Sequence, residues 1–159
     1  MPGRALAVTN GSSLVDAVAA LGEALGLESR KQFQVGRRLW GAKRMIDVVL
    51  THPTTLKRLG VECKYQEVPG TAEEKLPATI QDIAAWPIIG ILVFSGKGFT
   101  ENMKSYLIST GKAVDLVDAE SWLRLFFGLP LPEARTKLRP GAGLSMVVGN
   151  ELRIDSPDV

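Results

Sequence analysis

Residues 44–66, RMIDVVLTHPTTLKRLGVECKYQ, decide the fold of this chain. They hold two apolar-rich runs, 44–51 and 59–66, and the sequence His-Pro-Thr-Thr at 52–55 separates them. Runs of this length that are rich in valine, isoleucine and leucine and are bounded by turn residues predict strands. We therefore expect two strands that are close in sequence and neighbours in a sheet.

The two-residue period of a strand assigns each side chain of these runs to one face. In the second run the faces are Val61, Cys63 and Tyr65 against Glu62, Lys64 and Gln66. In the first run they are Ile46, Val48 and Leu50 against Met45, Asp47 and Val49. A row of polar side chains inside a strand is costly to bury unless each one has a partner.

Asp47 and Glu62 converge with Lys64 if the two strands are neighbours and the two acids face each other. Two close carboxylates repel, and a divalent cation relieves that repulsion. Hard oxygen ligands favour Mg²⁺, and Mn²⁺ can substitute. Lys64 would then position or deprotonate a water and stabilise charge that builds up on a phosphate. The alternative is an exposed sheet face with an ordinary Glu-Lys pair.

The rest of the chain alternates helix and strand. We predict a helix from Ser12 or Ser13 to Leu25 with Gly26 as its stop, and a strand at 31–40. A capping-box pattern at 71–74 opens a second helix, in which Pro77 indicates a kink or a start at Leu76. The remaining predicted elements are a buried strand at 88–94, a helix at 101–110, a strand at 113–117 and a helix at 119–127.

This order predicts an α/β fold with a central mixed sheet that helices flank, a meander at its start and a crossover later. We expect one domain over residues 1–159, with a core of about 12–127 and a C-terminal extension at 128–159. In the extension, Val147 and Val148 favour an edge strand.

Composition excludes several classes of protein. Cys63 is the single cysteine, so neither an internal disulfide nor a multi-cysteine zinc site can form. The chain lacks both a membrane-length apolar run and a signal peptide, and we expect a cytoplasmic location. It also lacks a serine-hydrolase elbow, and residues 95–100 lack the spacing of a nucleotide-binding loop. We interpret His52 as a turn residue and Cys63 as core packing.

The charges are unevenly distributed, although the net charge is only +2. Between residues 28 and 44 a single acid, Glu28, accompanies the basic residues Arg30, Lys31, Arg37, Arg38, Lys43 and Arg44. Acids predominate between 62 and 82. A basic stretch beside an acidic one suits a protein that holds an anionic polymer and concentrates cations near it, although such runs also form ordinary solvated faces.

Ile46-Asp47-Val48-Val49, followed by Gly-Val-Glu-Cys-Lys-Tyr-Gln at 60–66, resembles the core of the PD-(D/E)XK nucleases. That family includes restriction enzymes and Holliday-junction resolvases, and the resemblance covers roughly residues 14–107. It implies a restriction-endonuclease-like core, with Asp47, Glu62 and the Cys63 carbonyl on the metal and Lys64 catalytic. Ile46 replaces the nominal proline of the motif.

The resemblance also implies an acid from the first helix. Glu23 is the best match for it, with Asp16 and Glu28 as rivals. Gln66 matches a polar position that often follows the Glu-X-Lys unit and joins the predicted catalytic set.

The expected activity is that of a Mg²⁺-dependent DNA endonuclease of restriction, homing or phage type, acting as a homodimer because duplex cutting needs two sites. The predicted phosphate contacts are Arg37, Arg38, Lys43, Arg44, Lys75 and Lys97. Trp40, amid basic residues, is the tryptophan best placed to meet a base. The alternatives are a junction resolvase and a non-cleaving nucleic-acid-binding or complex-assembly module of the same fold.

Overall fold

Five strands form one mixed sheet in the computed structural model, which describes residues 7–69 and 73–133. The strands are β1 (Glu28–Arg37), β2 (Lys43–Thr51), β3 (Arg58–Tyr65), β4 (Gly90–Ser95) and β5 (Ala113–Asp115). The helices are α1 (Gly11–Ala24), α2 (Leu76–Ala84), α3 (Glu101–Ser109) and α4 (Ala119–Phe127). Short 3-10 helices lie at Leu39–Gly41, Glu73–Lys75 and Leu116–Asp118.

The strands follow one another across the sheet in chain order. β1, β2 and β3 are antiparallel neighbours, whereas β3, β4 and β5 are parallel and are joined through α2 and α3. Antiparallel strands need only short turns, but parallel ones need a crossover, and a helix provides each crossover here. The predicted meander, crossover and mixed sheet flanked by helices are confirmed.

Helices cover both faces of the sheet. On one face α1 and α4 contribute Leu14, Val18, Leu123 and Phe127 to a core with the inward residues of β2, β3 and β4. On the other face α2 and α3 contribute Leu76, Ile83 and Leu107 to a second core with Leu92 and Phe94. β4 is buried on both faces, as its continuous apolar run predicts.

The start of α1 differs from the prediction. Asn10 is the N-cap, not Ser12 or Ser13, and its side chain accepts from the Ser13 backbone amide at 2.8 Å. The Ser13 hydroxyl accepts in turn from the Asn10 amide, so Ser13 is the reciprocal member of a capping box. Gly26 follows the helix with a φ of 83°, which confirms it as the stop.

Pro77 lies in the first turn of α2, where its missing amide hydrogen costs nothing. The prediction that this helix begins at Leu76 is therefore the correct one. Thr71 and Ala72 of the expected capping box lie outside the described residues, as do Val147 and Val148 and most of the expected C-terminal extension. No helix in the described part of the chain is both long and apolar enough to cross a membrane.

β1 ends at Arg37, three residues short of the predicted strand. Leu39, which lies inside the predicted strand, is instead 85% exposed in the turn that joins β1 to β2. Gly41, with a φ of 76°, closes this turn. The strand predicted at 31–40 is too long at this end because its last residues form a turn that buries no side chain.

Trp86 packs across two glycines that face each other on β3 and β4. A Cβ on Gly60 would lie 2.7 Å from the Trp86 ring, and one on Gly90 would lie 2.5 Å from it. Ile83 lies 2.8 Å from the same position on Gly90. These glycines let α2 approach the sheet closely.

Gly90→Ala is therefore expected to lower the free energy of unfolding by about 1–3 kcal/mol, since Trp86 and Ile83 must both move. Urea unfolding followed by circular dichroism measures this change. The control is Gly11→Ala, because an added Cβ there meets nothing within 4 Å. Equal stability of the two variants would contradict the close packing of Trp86 on the sheet.

Candidate active site

The site lies where β2 and β3 stop pairing. The two strands pair from Val48 opposite Val61 to Thr51 opposite Arg58. Beyond Val61, β3 stays paired with β4 as far as Tyr65, and β2 stays paired with β1. The facing edges of β2 and β3 thus open a gap in the sheet, and Asp47, Glu62 and Lys64 come from its two sides.

The alternation of side chains breaks at Asp47, which corrects the predicted faces of β2. Val48 packs in the core under α1, but Ile46, two residues away, packs in the opposite core with Trp86. The β1–β2 register passes from Lys31 opposite Val48 to Phe33 opposite Ile46 without a partner pair between them. Gln32, the skipped residue of β1, has a φ of 53°. This local distortion turns Asp47 out of the regular strand pattern.

The Asp47 carboxylate accepts a hydrogen bond that a backbone carbonyl of a paired strand would otherwise accept. Its Oδ2 accepts from the Cys63 backbone amide at 2.9 Å, and its Oδ1 accepts from Gln32 Nε2 at 3.2 Å. A strand edge next to a gap would otherwise leave the Cys63 amide without a strand partner. Asp47 is thus fixed against β3, one residue from Glu62.

Glu62 and Lys64 form an ion pair, with Lys64 Nζ 3.0 Å from Glu62 Oε1. The Glu62 side chain is only 12% exposed. Burial, and then the nearby Asp47 carboxylate, raise the pKa of Glu62, while Lys64 and Arg38 act in the opposite direction. The negative charge of this pair of acids is therefore only partly compensated.

These residues line a cleft of about 480 Å³. The N-terminal half of α1 forms one wall of the cleft, and β1, β2 and β3 form the rest. The lining residues are Gly11, Ser12, Val15, Asp16, Lys31, Gln32, Asp47, Glu62, Cys63 and Lys64. The structure thus brings together Asp47, Glu62 and Lys64, the three residues that were predicted as the catalytic centre.

The α1 acid in this cleft is Asp16, not Glu23. Asp16 forms a 2.9 Å ion pair with Lys31 of β1. Glu23, two turns further along α1, is not among the lining residues and accepts from Ser29 Oγ at 2.6 Å. The other rival, Glu28, lines a separate cavity of about 560 Å³. Spacing alone cannot select among the three, because the choice depends on which end of α1 approaches β2.

Gln66 also departs from its predicted place. Its side chain is buried and donates from Nε2 to the carbonyls of Val68 at 3.0 Å and Gly98 at 3.2 Å. The Gly98 amide donates in return to the Gln66 carbonyl at 2.8 Å. The strand period sets Gln66 beside Lys64 only while the strand lasts, and β3 ends at Tyr65. Gln66 therefore fastens the loop after β4 to the end of β3 rather than lining the cleft.

The predicted phosphate contacts fall into two groups. Lys43, Lys75 and Lys97 are exposed, and Arg37 donates to the Gly41 carbonyl at 2.8 Å. Arg38 and Arg44 instead both pair at 3.0 Å with Asp82 of α2. The sequence has no signal for this shared acid, because Asp82 follows Arg44 by 38 residues. Gln32 is likewise unexpected, since only the break in the β1–β2 ladder brings its amide to Asp47.

The interpretations of His52 and Cys63 are confirmed. His52 Nδ1 accepts from the backbone amides of Thr54 and Thr55, each at 3.1 Å, so this ring holds the turn between β2 and β3. Cys63 packs in the core under α1. Burial raises the pKa of the Cys63 thiol far above its ordinary value, so it stays protonated and is a poor nucleophile.

A metal-free pH titration of stability tests the environment of Glu62. The folded state holds the Glu62 proton more tightly than the unfolded chain, so ionisation of Glu62 destabilises the fold as pH rises above its ordinary pKa of 4.5. In EDTA, the stability of the wild-type protein relative to Glu62→Gln is expected to fall as pH rises above 4.5. Urea unfolding at each pH measures it.

The control is Glu101→Gln, which removes a carboxylate that is 90% exposed. Parallel stability curves for the wild-type protein and Glu62→Gln would contradict the unfavourable burial of the Glu62 charge.

Among solved structures, the protein of unknown function AF1548 matches at 23% identity and a TM-score of 0.45 over 64% of this chain. Protein VC1899 from Vibrio cholerae matches at 16% identity and a TM-score of 0.51 over 74% of the chain. A repair endonuclease from Pyrococcus abyssi matches at 10% identity and a TM-score of 0.39 over 67%. This chain spans 55%, 34% and 46% of those three structures.

A search of curated proteins gives no match. The model of the PD-(D/E)XK nuclease superfamily domain, however, matches residues 8–121. That span contains the whole sheet, the cleft and all three residues at its centre. The chain therefore belongs to the PD-(D/E)XK nuclease superfamily and has its restriction-endonuclease-like fold.

Proposed function

We propose that this protein is a metal-dependent DNA endonuclease that hydrolyses phosphodiester bonds. The observation that carries the proposal is the convergence of Asp47, Glu62 and Lys64 in one cleft at the opening between β2 and β3. Two acids and one ammonium group at such a point match the residue types that phosphodiester hydrolysis needs. Membership of a nuclease superfamily supports the same activity.

The donors in the cleft fit a divalent cation. Asp47 and Glu62 would hold it through carboxylate oxygens, and the Cys63 carbonyl would supply a third oxygen ligand. Burial and Asp47 disfavour the charged form of Glu62, and a cation would relieve both effects. No cluster of three or more His, Cys, Asp or Glu side chains suited to a metal occurs in the described ranges. A set with only two side-chain ligands suits Mg²⁺, which keeps several of its waters.

A bound cation supplies Lewis-acid stabilisation of the phosphate oxygens and a more acidic water. The protein's own residues do the rest. Lys64, held 3.0 Å from Glu62, would orient the attacking water and stabilise negative charge on the phosphate. Gln32 and the Cys63 amide keep the Asp47 carboxylate in position. Asp16 replaces Glu23 as the α1 acid in the proposal because it lines the same cleft.

DNA is the proposed substrate because four of the cations predicted as phosphate contacts are exposed. Arg37, Lys43, Lys75 and Lys97 would contact phosphates, which bind lysine and arginine without sequence preference. The described residues of each chain form one such cleft, so the cutting of both strands favours a homodimer. The restriction, homing and phage types of endonuclease all fit these features. A junction resolvase is the alternative, and it would prefer four-way-junction DNA to linear duplex.

Lys64→Ala is expected to lower the cleavage rate by about 10²–10⁴-fold, since it removes the group that positions the water. The assay incubates the protein with plasmid, linear duplex and four-way-junction DNA in Mg²⁺, Mn²⁺ or EDTA. Cleavage should require the metal, and the preferred DNA identifies the type of endonuclease.

The matched control is Lys112→Ala, which removes an exposed lysine directly before β5 and should leave the rate unchanged. Absence of cleavage of every DNA in both Mg²⁺ and Mn²⁺, or full activity of Lys64→Ala, would refute the proposed enzymatic activity. Salt-sensitive binding without cleavage would identify a binding module instead.

Metal binding can be measured without substrate. Titration of the wild-type protein with Mn²⁺, followed by electron paramagnetic resonance or calorimetry, should show binding that Asp47→Asn and Glu62→Gln each weaken by at least about tenfold. Glu101→Gln is the control, because its carboxylate lies on the exposed surface of α3. Unchanged Mn²⁺ affinity in both cleft variants would place the metal elsewhere.

A further inference from the structure

The turn that joins β1 to β2 presents two large apolar side chains to solvent. Trp40 is 99% exposed and Leu39 is 85% exposed. Trp40 also has a φ of 64°, a left-handed conformation that a bulky residue rarely adopts. We call residues 37–43 the hairpin tip. None of its side chains belongs to either of the two cores of the domain.

The hairpin tip is nevertheless an ordered turn. The Arg38 amide donates to the Ala42 carbonyl at 2.7 Å, and the Gly41 amide donates to the Arg38 carbonyl at 3.2 Å. Arg37 Nη1 adds a bond to the Gly41 carbonyl at 2.8 Å. These bonds hold Trp40 outward. The turn therefore loses less conformational entropy on binding a partner than a flexible loop would.

Asp82 fastens the tip to the body of the domain. Its two carboxylate oxygens accept separately from Arg38, on the β1 side of the turn, and from Arg44, on the β2 side. The Asp82 side chain is 16% exposed and that of Arg44 is 25% exposed, so this bridge is partly shielded from water. One carboxylate between two guanidinium groups still leaves an excess of positive charge.

The charge of the tip selects the chemistry of its partner. Residues 37–44 carry Arg37, Arg38, Lys43 and Arg44 and no acid, and Asp82 is the acid that faces two of them. An aromatic ring flanked by cations is the combination that stacks on a base while holding the neighbouring phosphates. A purely apolar protein partner would instead have to bury these charges at a cost.

The position of the tip relates it to the cleft. Lys43 begins β2, and Asp47 lies four residues further along the same strand, or roughly 13 Å away at the rise of an extended chain. Trp40 extends beyond Lys43. A nucleic acid with a phosphate at Asp47 and a path along β2 would therefore meet the tip several nucleotides from the bond to be cut.

We propose that the hairpin tip is a base-stacking element, with Trp40 and Leu39 inserting where bases are unpaired or easily unstacked, and Arg37 and Lys43 holding the adjoining phosphates. The tip would then favour DNA with a gap, bulge, flap or branch over uniform duplex, and so would favour the structure-specific alternative of the proposed function over the restriction and homing types. This inference deepens the proposed function and rests on it for the cutting step.

Binding measured in EDTA tests the tip separately from catalysis. Fluorescence anisotropy with labelled uniform duplex, gapped duplex and single-stranded oligonucleotides gives the affinities. Trp40→Ala is expected to weaken binding to gapped and single-stranded DNA by about tenfold or more, and uniform duplex by less than about threefold. Trp40→Phe should retain most of the affinity, because it keeps an aromatic face.

Two further readouts separate stacking from a loss of structure. Wild-type tryptophan emission should be quenched by single-stranded DNA, and Trp40→Phe should lose that quenching while buried Trp86 still emits. Arg37→Ala combined with Lys43→Ala should weaken binding to all three DNAs and lower the salt slope by about 1–2. Leu125→Ala, which removes another exposed apolar side chain at 69%, should change nothing.

Equal affinities of Trp40→Ala and wild type for gapped DNA would overturn the inference, as would emission that DNA leaves unchanged. A shift of oligomeric state in Trp40→Ala without a change in DNA affinity would identify the tip as a contact between copies of the chain. If DNA binding depends on Trp40 but no DNA is cut, the proposed nuclease activity is refuted and the base-stacking role of the hairpin tip is supported. If the wild-type protein cuts DNA, and Trp40→Ala cuts and binds gapped DNA normally, only the base-stacking role of the hairpin tip is refuted.

Discussion

The gap between β2 and β3 is the constraint on which the rest of the site depends. A sheet strand that loses its neighbour leaves backbone amides exposed in a half-buried place, and here the Asp47 carboxylate accepts from the Cys63 amide in the neighbour's stead. The same opening gives Glu62 and Lys64 room to face a cleft instead of a packed strand. Structural stability and the chemistry of the site thus rely on one carboxylate.

The cores on the two faces of the sheet keep this opening in place. β3 remains paired with β4 through Tyr65, and the helices on both sides pack on that parallel pair. The opposite side of the gap is the β1–β2 hairpin. Its Lys31 pairs with Asp16 of α1, and its Arg44 pairs with Asp82 of α2. The site therefore lies between a rigid half-sheet and a hairpin that polar contacts, rather than the core alone, hold in position.

Much of the fold can be predicted from local patterns. The buried run of β4, the turn at His52 and the Glu-X-Lys unit on β3 each depend on a few adjacent residues, and each is found where the pattern indicates. The errors at the candidate site share one cause. The faces of Ile46 and Asp47, the place of Gln66 and the choice between Glu23 and Asp16 all depend on where a regular period breaks or how a helix approaches the sheet. Those are properties of packing, which a period of two or 3.6 cannot express.

The proposed metal site is tested most directly by the position of a bound Mn²⁺ ion, located by anomalous diffraction from crystals of the wild-type protein. We expect one peak that is within coordination distance of the Asp47 and Glu62 carboxylates and the Cys63 carbonyl, with Lys64 beside it. A peak elsewhere, or a cleft that stays metal-free while Asp47 still accepts from the Cys63 amide, would contradict it.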